Sequence, residues 1–259
     1  MNELKHLVEY DDIRKFLQWD VIRKTMFVNN PWYIQKEFIN LKKSSNWKQI
    51  KPAIKESRIG KPTLSIFYPK SSGNLIHQAF HIAQLEERSN TNISELDSVL
   101  EFGGGYGCMC KYFYNRGFTG KYIIYDLPAF SAIQRYYLKA NNLPITSLTN
   151  TINSGKGIVC ISELKEFHTI HDQINKEHNS LFIATWSLSE TSLAIRNEIL
   201  NKLDDFDYYL FAYQAQFGEM DNISYFRDWC AINNLLWENY EIEHLPNNYY
   251  LIGKGKIDS

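Results

Sequence analysis

Four of the chain's thirteen glycines stand between residues 103 and 107. They follow an apolar run, Ser98-Val-Leu-Glu-Phe102, and precede an amphipathic stretch from Tyr106 to Arg116. A strand that passes through glycines into a helix leaves bare backbone and a helix N-terminus facing outward, a place for a ligand. Glycine is otherwise sparse, 13 in 259 residues, below the usual share of about 7%. The cluster is therefore not the by-product of a flexible composition.

Downstream of the cluster, strand and helix patterns alternate. Apolar strands are expected at 98–102, 122–127, 157–162, 181–186 and 207–213. Helices are expected at 106–116, 129–142, 163–177, 195–203 and 225–234. The segment 145–154 is an alternative place for the third strand. The end, 236–244 and 249–253, reads as a hairpin around Pro246-Asn247-Asn248. Alternating β and α units predict an α/β, Rossmann-like fold: a mostly parallel seven-stranded sheet closed by an antiparallel hairpin.

Residues 1–97 read differently. Leu4, Leu7, Val8, Ile13, Phe16 and Leu17 recur at helical spacing up to about Met26. Asn30-Pro31 is a cap followed by a first-turn proline, opening a helix through Phe38 and Leu41. The stretch 51–69 is an irregular crossing, and 75–88 is helical again. The expected organisation is a helical cap over 1–97 and a ligand-binding α/β domain over 98–259.

The charge balance, 28 Lys+Arg against 29 Asp+Glu, disfavours a nucleic-acid partner, which calls for a basic excess. The 15% aromatic content reads as background in a chain also rich in Ile, Lys and Asn. The four cysteines, Cys108, Cys110, Cys160 and Cys230, form no C-x-x-C pair, so a reducing, cytoplasmic setting is expected. No signal peptide is read at the N-terminus. No apolar run approaches the ~18 residues of a membrane span. A homodimer through the N-terminal helices is one possible assembly.

Spacing discriminates between ligands. A dinucleotide fingerprint would need glycine or alanine at 108, which is cysteine. The residues present are acid-x-G-x-G-x-G: Glu101, Gly103, Gly105 and Gly107. This resembles the first motif of class I S-adenosylmethionine (SAM) methyltransferases. Glu101 would place negative charge where the cationic methionyl end sits. Nineteen residues past Gly107, Asp126 ends the second strand, where a carboxylate can accept both ribose hydroxyls; its blander role would be to cap the following helix. The expected cofactor contacts are Glu101, Phe102, Gly103, Gly105, Tyr106, Gly107, Asp126, Leu127, Ser162 and Trp186.

A narrower resemblance lies in Glu101-Phe-Gly-Gly-Gly-Tyr-Gly107, Tyr125-Asp-Leu-Pro128, Gln134, Tyr136-Tyr-Leu138 and Trp186-Ser-Leu-Ser-Glu190. Together these resemble the sugar O-methyltransferases of bacterial surface-polysaccharide clusters, over roughly residues 70 to 253. The resemblance implies a cytoplasmic enzyme that methylates a sugar hydroxyl, on a nucleotide-activated sugar such as a GDP-heptose, for capsule or lipopolysaccharide synthesis. A small-molecule O-methyltransferase acting on phenols, and a SAM-binding regulatory or scaffold protein without turnover, are the alternatives.

Methyl transfer to a hydroxyl calls for alignment and for a base that takes the proton. His77, His81 and Glu190 are the candidates. His77 and His81 lie four apart with Gln84 a turn further on, either a functional polar stripe or a solvated helix face. Trp186 flanks the cofactor or fills the core. His168, His171 and His178 are read as surface residues. The fifth strand ends Tyr213-Gln-Ala-Gln216 without an acidic pair, and Asp204-Asp205 precedes that strand. No metal is expected on these grounds. No Asn/Asp-Pro-Pro-aromatic sequence follows the fourth strand, which disfavours methylation of nucleic-acid bases. Ser187, Ser189, Gln214, Gln216 and Arg58 are the candidate substrate contacts. Arg58 belongs to a basic run with Lys51, Lys55 and Lys61 that suits a diphosphate, or is simply solvated.

Overall fold

The computed structural model describes residues 2–26, 30–174, 179–203, 206–232 and 236–255. Five helices come first: α1 (Asn2–Tyr10), α2 (Asp20–Met26), α3 (Pro31–Lys43), α4 (Trp47–Ala53) and α5 (Gly73–Ser89). The single helical pattern expected up to Met26 is broken. The Asp12 carboxylate accepts from the Arg14 backbone N–H and starts a 3-10 turn over Ile13–Gln18. Asn30 caps α3 as expected, its side chain accepting from the Trp32 N–H, with Pro31 in the first turn.

The remainder alternates: β1 (Ser98–Phe102), α6 (Cys108–Asn115), β2 (Lys121–Tyr125), α7 (Pro128–Ala140), α8 (Leu148–Ser154), β3 (Gly157–Ile161) and α9 (Leu164–Ile174). Then come β4 (Ser180–Thr185), α10 (Leu193–Leu200), β5 (Tyr208–Gln214), β6 (Gln216–Phe217), β7 (Met220–Asp221), α11 (Asn222–Ile232), β8 (Leu236–Glu241) and β9 (Asn248–Lys254). The alternative third strand at 145–154 is instead a single bridge at Ile145 followed by α8. The small β6–β7 hairpin has too few residues to carry a period.

Seven strands form one sheet in the order β3-β2-β1-β4-β5-β9-β8. Pairs among β1 to β5 are parallel, while β9 runs antiparallel to β5 and β8. This is the expected Rossmann-like sheet with its closing hairpin. β1 is buried along its whole length, as a strand covered on both faces must be. One face packs α5, α6 and α7 through residues such as Leu75, Met109 and Ile133. The other packs α9, α10 and α11 through Phe167, Ile199 and Phe226. The N-terminal helices join the first of these cores: Phe16, Ile22, Ile34 and Ile50 are buried in the same cluster as Tyr106 and Tyr122.

Chain direction across the sheet reverses between β1 and β4. The chain winds outward from β1 through β2 to β3, then crosses back to β4 and β5. Ligands in such sheets sit beyond the strand ends at this switch point. The glycine turn, Asp126 and Trp186 all lie there.

Candidate functional site

Backbone conformation explains the glycines. Gly103, Gly105 and Gly107 have φ of +74°, +56° and +89°, a region costly for side chains with a Cβ. Space is equally restrictive. A Cβ on Gly103 would come within 2.2 Å of Ser187 Cβ, and one on Gly104 within 2.8 Å of the Glu101 carboxylate. The turn is pinned by Gly103 N–H donating to the Tyr125 carbonyl (2.8 Å) and Gly105 N–H donating to Asp126 Oδ2 (2.9 Å). Gln134 Nε2 donates to the Gly105 carbonyl at 2.8 Å and to Asp126 Oδ2 at 3.0 Å. Asp126 thus faces the turn across the β1–β2 edge. Its side chain does not cap α7, whose N-cap, Leu127, makes no side-chain bond.

Glu101 is buried and accepts from the Tyr122 hydroxyl at 2.8 Å. Burial pushes its carboxyl up to about 8, against that hydrogen bond and with help from the Asp126 charge. Burial likewise pushes Asp126 up to about 7, opposed by the N–H groups of Leu127, Gly105 and Gln134. Two carboxyls with so little compensating charge form an environment made for a cation.

A cavity of about 950 Å³ opens above these groups. Its walls include Glu101 to Tyr106, Asp126 and Leu127 from the sheet edge, His77 and Gln78 from α5, and Trp186 and Glu190 after β4. Thr25, Met26 and Tyr33 close it from the N-terminal helices. Leu127 is 48% exposed, an apolar side chain presented at the cavity wall. No Lys or Arg is among the described lining residues.

The histidines are not on a solvated face. His77 is buried at the cavity wall, and its Nδ1 lies 2.7 Å from Glu37 Oε1. The same Glu37 oxygen meets His244 Nε2 at 2.8 Å. Burial pushes Glu37 up, but His77 and His244 outweigh it and hold the carboxyl below its ordinary value. An ionised carboxylate only accepts hydrogen bonds. His77 therefore carries its proton on Nδ1 and, when neutral, has a bare Nε2. His81 sits behind His77 and outside the lining, with Nδ1 bonded to the Tyr250 hydroxyl and Nε2 without a partner. Burial, and then the His77 and His244 charges, hold it well below its ordinary value.

Trp186 has φ +62°, unusual for a bulky residue. Its N–H donates to the Ala212 carbonyl at 2.6 Å and its indole Nε1 to Asn248 Oδ1 at 2.7 Å. Such a conformation persists only where the surroundings enforce it. Glu190 lines the cavity, exposed, and accepts from Gln214 at 3.4 Å. Partial burial raises its carboxyl against that bond.

Several candidate contacts fall elsewhere. Gly107 packs on Leu138 as the N-cap of α6, and Ser162 bonds Ser131 at 2.7 Å; neither is in the lining. The Ser187 hydroxyl reaches the cavity wall but donates to the Phe102 carbonyl. Ser189 is buried, its hydroxyl 2.7 Å from the Trp186 carbonyl and 3.0 Å from Gln214 Oε1, with one proton to give between them. Hydroxyls in tight turns are taken up by nearby acceptors in this way. Gln216 is exposed in β6, and Arg58 is exposed outside the lining. His171 is buried rather than on the surface, and His168 pairs with Glu198 at 3.1 Å. His178, Asp204 and Asp205 lie outside the described residues. Among the described residues no group of three or more His, Cys, Asp or Glu is set to hold a metal. No described helix is long and apolar enough to cross a membrane.

Glu37 and His244 were not among the expected site residues. Glu37 left a signal: it interrupts the buried stripe of α3 between Ile34 and Leu41. A carboxylate on an apolar face needs a partner. His244, in the β8–β9 turn, left none.

No protein-family model matches the chain, and no curated protein matches it. Among solved structures it is similar to an O-methyltransferase family protein from Burkholderia thailandensis, at 12% identity, 99% of this chain and 83% of that one covered, TM-score 0.43. It is similar to the METTL16 methyltransferase domain at 10% identity, with coverages of 98% and 92% and TM-score 0.46. A precorrin-6y C5,15-methyltransferase from Geobacter metallireducens gives 10% identity, coverages of 69% and 88%, and TM-score 0.45.

Proposed function

We propose that the chain is a SAM-dependent O-methyltransferase acting on a sugar hydroxyl. The observation that carries this reading is one cavity holding two things. One is a glycine cradle between two acids, the buried Glu101 and the half-buried Asp126; the other is an imidazole, His77, with its bare nitrogen set by Glu37.

The residues fit the cofactor. The carboxyls of Glu101 and Asp126 would gain a partner when a cation and a ribose arrive, and the turn that presents them needs glycine, since a Cβ on Gly103 or Gly105 would run into Ser187 or Met26. SAM supplies an electrophilic methyl group on a sulfonium. Glu101 would face the positive charge, Asp126 would accept from ribose hydroxyls, and Leu127 with Phe130 would offer apolar cover for the adenine. His77 takes the acceptor's hydroxyl proton, a role worth about 10²–10⁴-fold in rate. Asn74 and Gln78 flank it on α5 and can bind neighbouring hydroxyls.

A nucleotide diphosphate on the acceptor needs positive charge. Arg23 supplies it in an adjoining groove of about 320 Å³ that shares Pro31, Asn74 and Tyr106 with the main cavity. A second reading is favoured by the uncharged wall formed by Met26, Tyr33, Tyr106 and Leu245: a neutral phenolic acceptor. The test is mass spectrometry after incubation with SAM and matched panels of nucleotide sugars, free sugars and phenols. A methyl gain on a sugar supports the proposal. A gain on phenols alone supports the second reading. SAM binding without any methylated product leaves a binding protein and overturns both.

A further inference from the structure

Resting on the methyl-transfer reading, the geometry points to Glu37 as the positioning residue of His77 and to His244 as the outlet for the charge that His77 takes up. Glu37 comes from α3, His77 from α5 and His244 from the β8–β9 turn. One carboxylate oxygen, Oε1, holds both imidazoles, at 2.7 Å and 2.8 Å. The second oxygen, Oε2, is buried without a partner. All three side chains are at least nine-tenths buried.

The two imidazoles face different spaces. His77 lines the cavity with the glycine turn, and His244 lines a second, polar cleft of about 1010 Å³ between α3, α5 and the closing hairpin. Glu37 is the only side chain bonded to both among the described residues. One negative charge in a buried place favours one positive partner and disfavours two. The pair therefore carries a single imidazolium at a time.

The proton accounting follows. The acceptor O–H bond breaks, its electron pair stays on oxygen, and an N–H bond forms at His77 Nε2. His77 becomes an imidazolium against Glu37. Where His244 held the charge, it releases its Nδ1 proton to water in the second cleft and keeps Nε2–H on Glu37. One proton enters from the cavity and one leaves through the cleft, with the net charge of the three side chains unchanged. Glu37 itself is never protonated. The other titratable groups facing the pair are Tyr33 from α3, His81 from α5 and Tyr250 from β9. Across the cavity stand Glu101, Tyr106, Cys108, Tyr125, Asp126 and Glu190, and the second cleft that His244 lines also holds Lys43, Glu86, Glu87, Arg88, Glu95, Tyr240, Glu241 and Glu243.

Nitrogen NMR of the full chain labelled with ¹⁵N-histidine tests this without any acceptor, with His77→Asn used to assign the His77 signals. The expected result is His77 protonated on Nδ1 and bare on Nε2, and two coupled titrations, one each for His77 and His244. His244→Asn frees Glu37 for His77 alone and should raise the proton affinity of His77 at least threefold. Glu37→Gln should abolish the fixed tautomer. Should that variant not fold, His244→Asn decides. A neutral His77 that holds its proton on Nε2 in the unaltered chain, or a His77 titration unmoved by His244→Asn, overturns the inference. Because the signals need no turnover, coupling without methyl transfer would sink only the proposed function. Methyl transfer without coupling would sink only this inference.

Discussion

The indole of Trp186 stacks on the imidazole of His77, with ring centroids 5.5 Å apart and planes 26° apart. This contact joins the end of β4 to the middle of α5. The His77 imidazole is thus buttressed on one side by Glu37 and on the other by a residue held in a left-handed conformation. Replacing Trp186 by Ala should cost rate more than SAM affinity, since the ring locks His77 and the cofactor cradle lies on β1 and β2. Steady-state kinetics with calorimetric titration of SAM check this. A loss confined to SAM affinity would show that the indole serves the cofactor instead.

His77→Asn should lower turnover by about 10²–10⁴-fold, the usual worth of a positioned base, with SAM affinity unchanged. Full activity in this variant would remove His77 from the mechanism and point to Glu190, the other candidate base at the wall.

Stability without ligand should fall as pH rises. In the folded chain the Glu101 carboxyl titrates near about 8 and that of Asp126 near about 7, from ordinary values of 4.5 and 3.8. At these two carboxyls the folded state holds more protons than the unfolded state between about pH 4 and 8, and their effect lowers stability on rising through that window; the depressed His81 opposes it below about pH 6.5. Glu101→Gln keeps a hydrogen-bonding group for Tyr122 and should flatten the slope between about 4.5 and 8. Melting temperatures across pH decide it; an unchanged slope would locate the effect elsewhere.

Gly103→Ala should destabilise the chain by more than about 1 kcal/mol and weaken SAM binding. Its φ of +74° strains any side chain, and the new Cβ would collide with Ser187. Chemical denaturation compared with Gly117→Ala, where the φ is also positive but the space is open, separates collision from strain. Equal losses at both positions would assign the effect to backbone conformation alone.

Arg116 and Glu86 form a buried two-pronged pair, at 2.9 Å and 3.2 Å, with side chains 1% and 3% exposed. Arg116→Met leaves the Glu86 carboxylate without its charge partner and should cost about 3–5 kcal/mol. Adding Glu86→Leu should recover part of that loss in a double-mutant cycle measured by urea denaturation.

Local patterns were strong enough to reveal the sheet. β1 spans the residues expected, because an apolar run closed by glycines has no helical alternative. The Asn30-Pro31 start of α3 was equally legible, since a cap and a first-turn proline act within one turn. The break at Asp11-Asp12 was not, because an apolar period continues on both sides of it. α8 lies in the stretch 145–154, where the sequence left a strand as the alternative: a seven-residue helix shows barely two turns of pattern. In the site, the glycine turn could be read because it lies within one motif. The histidine pair could be read only in part, since helical spacing grouped His77 with His81 while packing placed just one of them at the cavity. Glu37 and His244 stand 40 and 207 residues apart from their partners in the cluster. No local pattern relates such positions.

The N-terminal helices share their hydrophobic core with the sheet: Phe16 packs on Tyr106 of the glycine turn and on Tyr137 of α7. The helical segment that closes the cavity is therefore not a detachable module. Grafting it onto another sheet of this kind, or exchanging it for a different cap, would expose apolar surface on both pieces. Redirecting this chain to a new acceptor calls for single replacements around the rim, such as Thr25, Tyr33 or Gln78, with the shared core left whole.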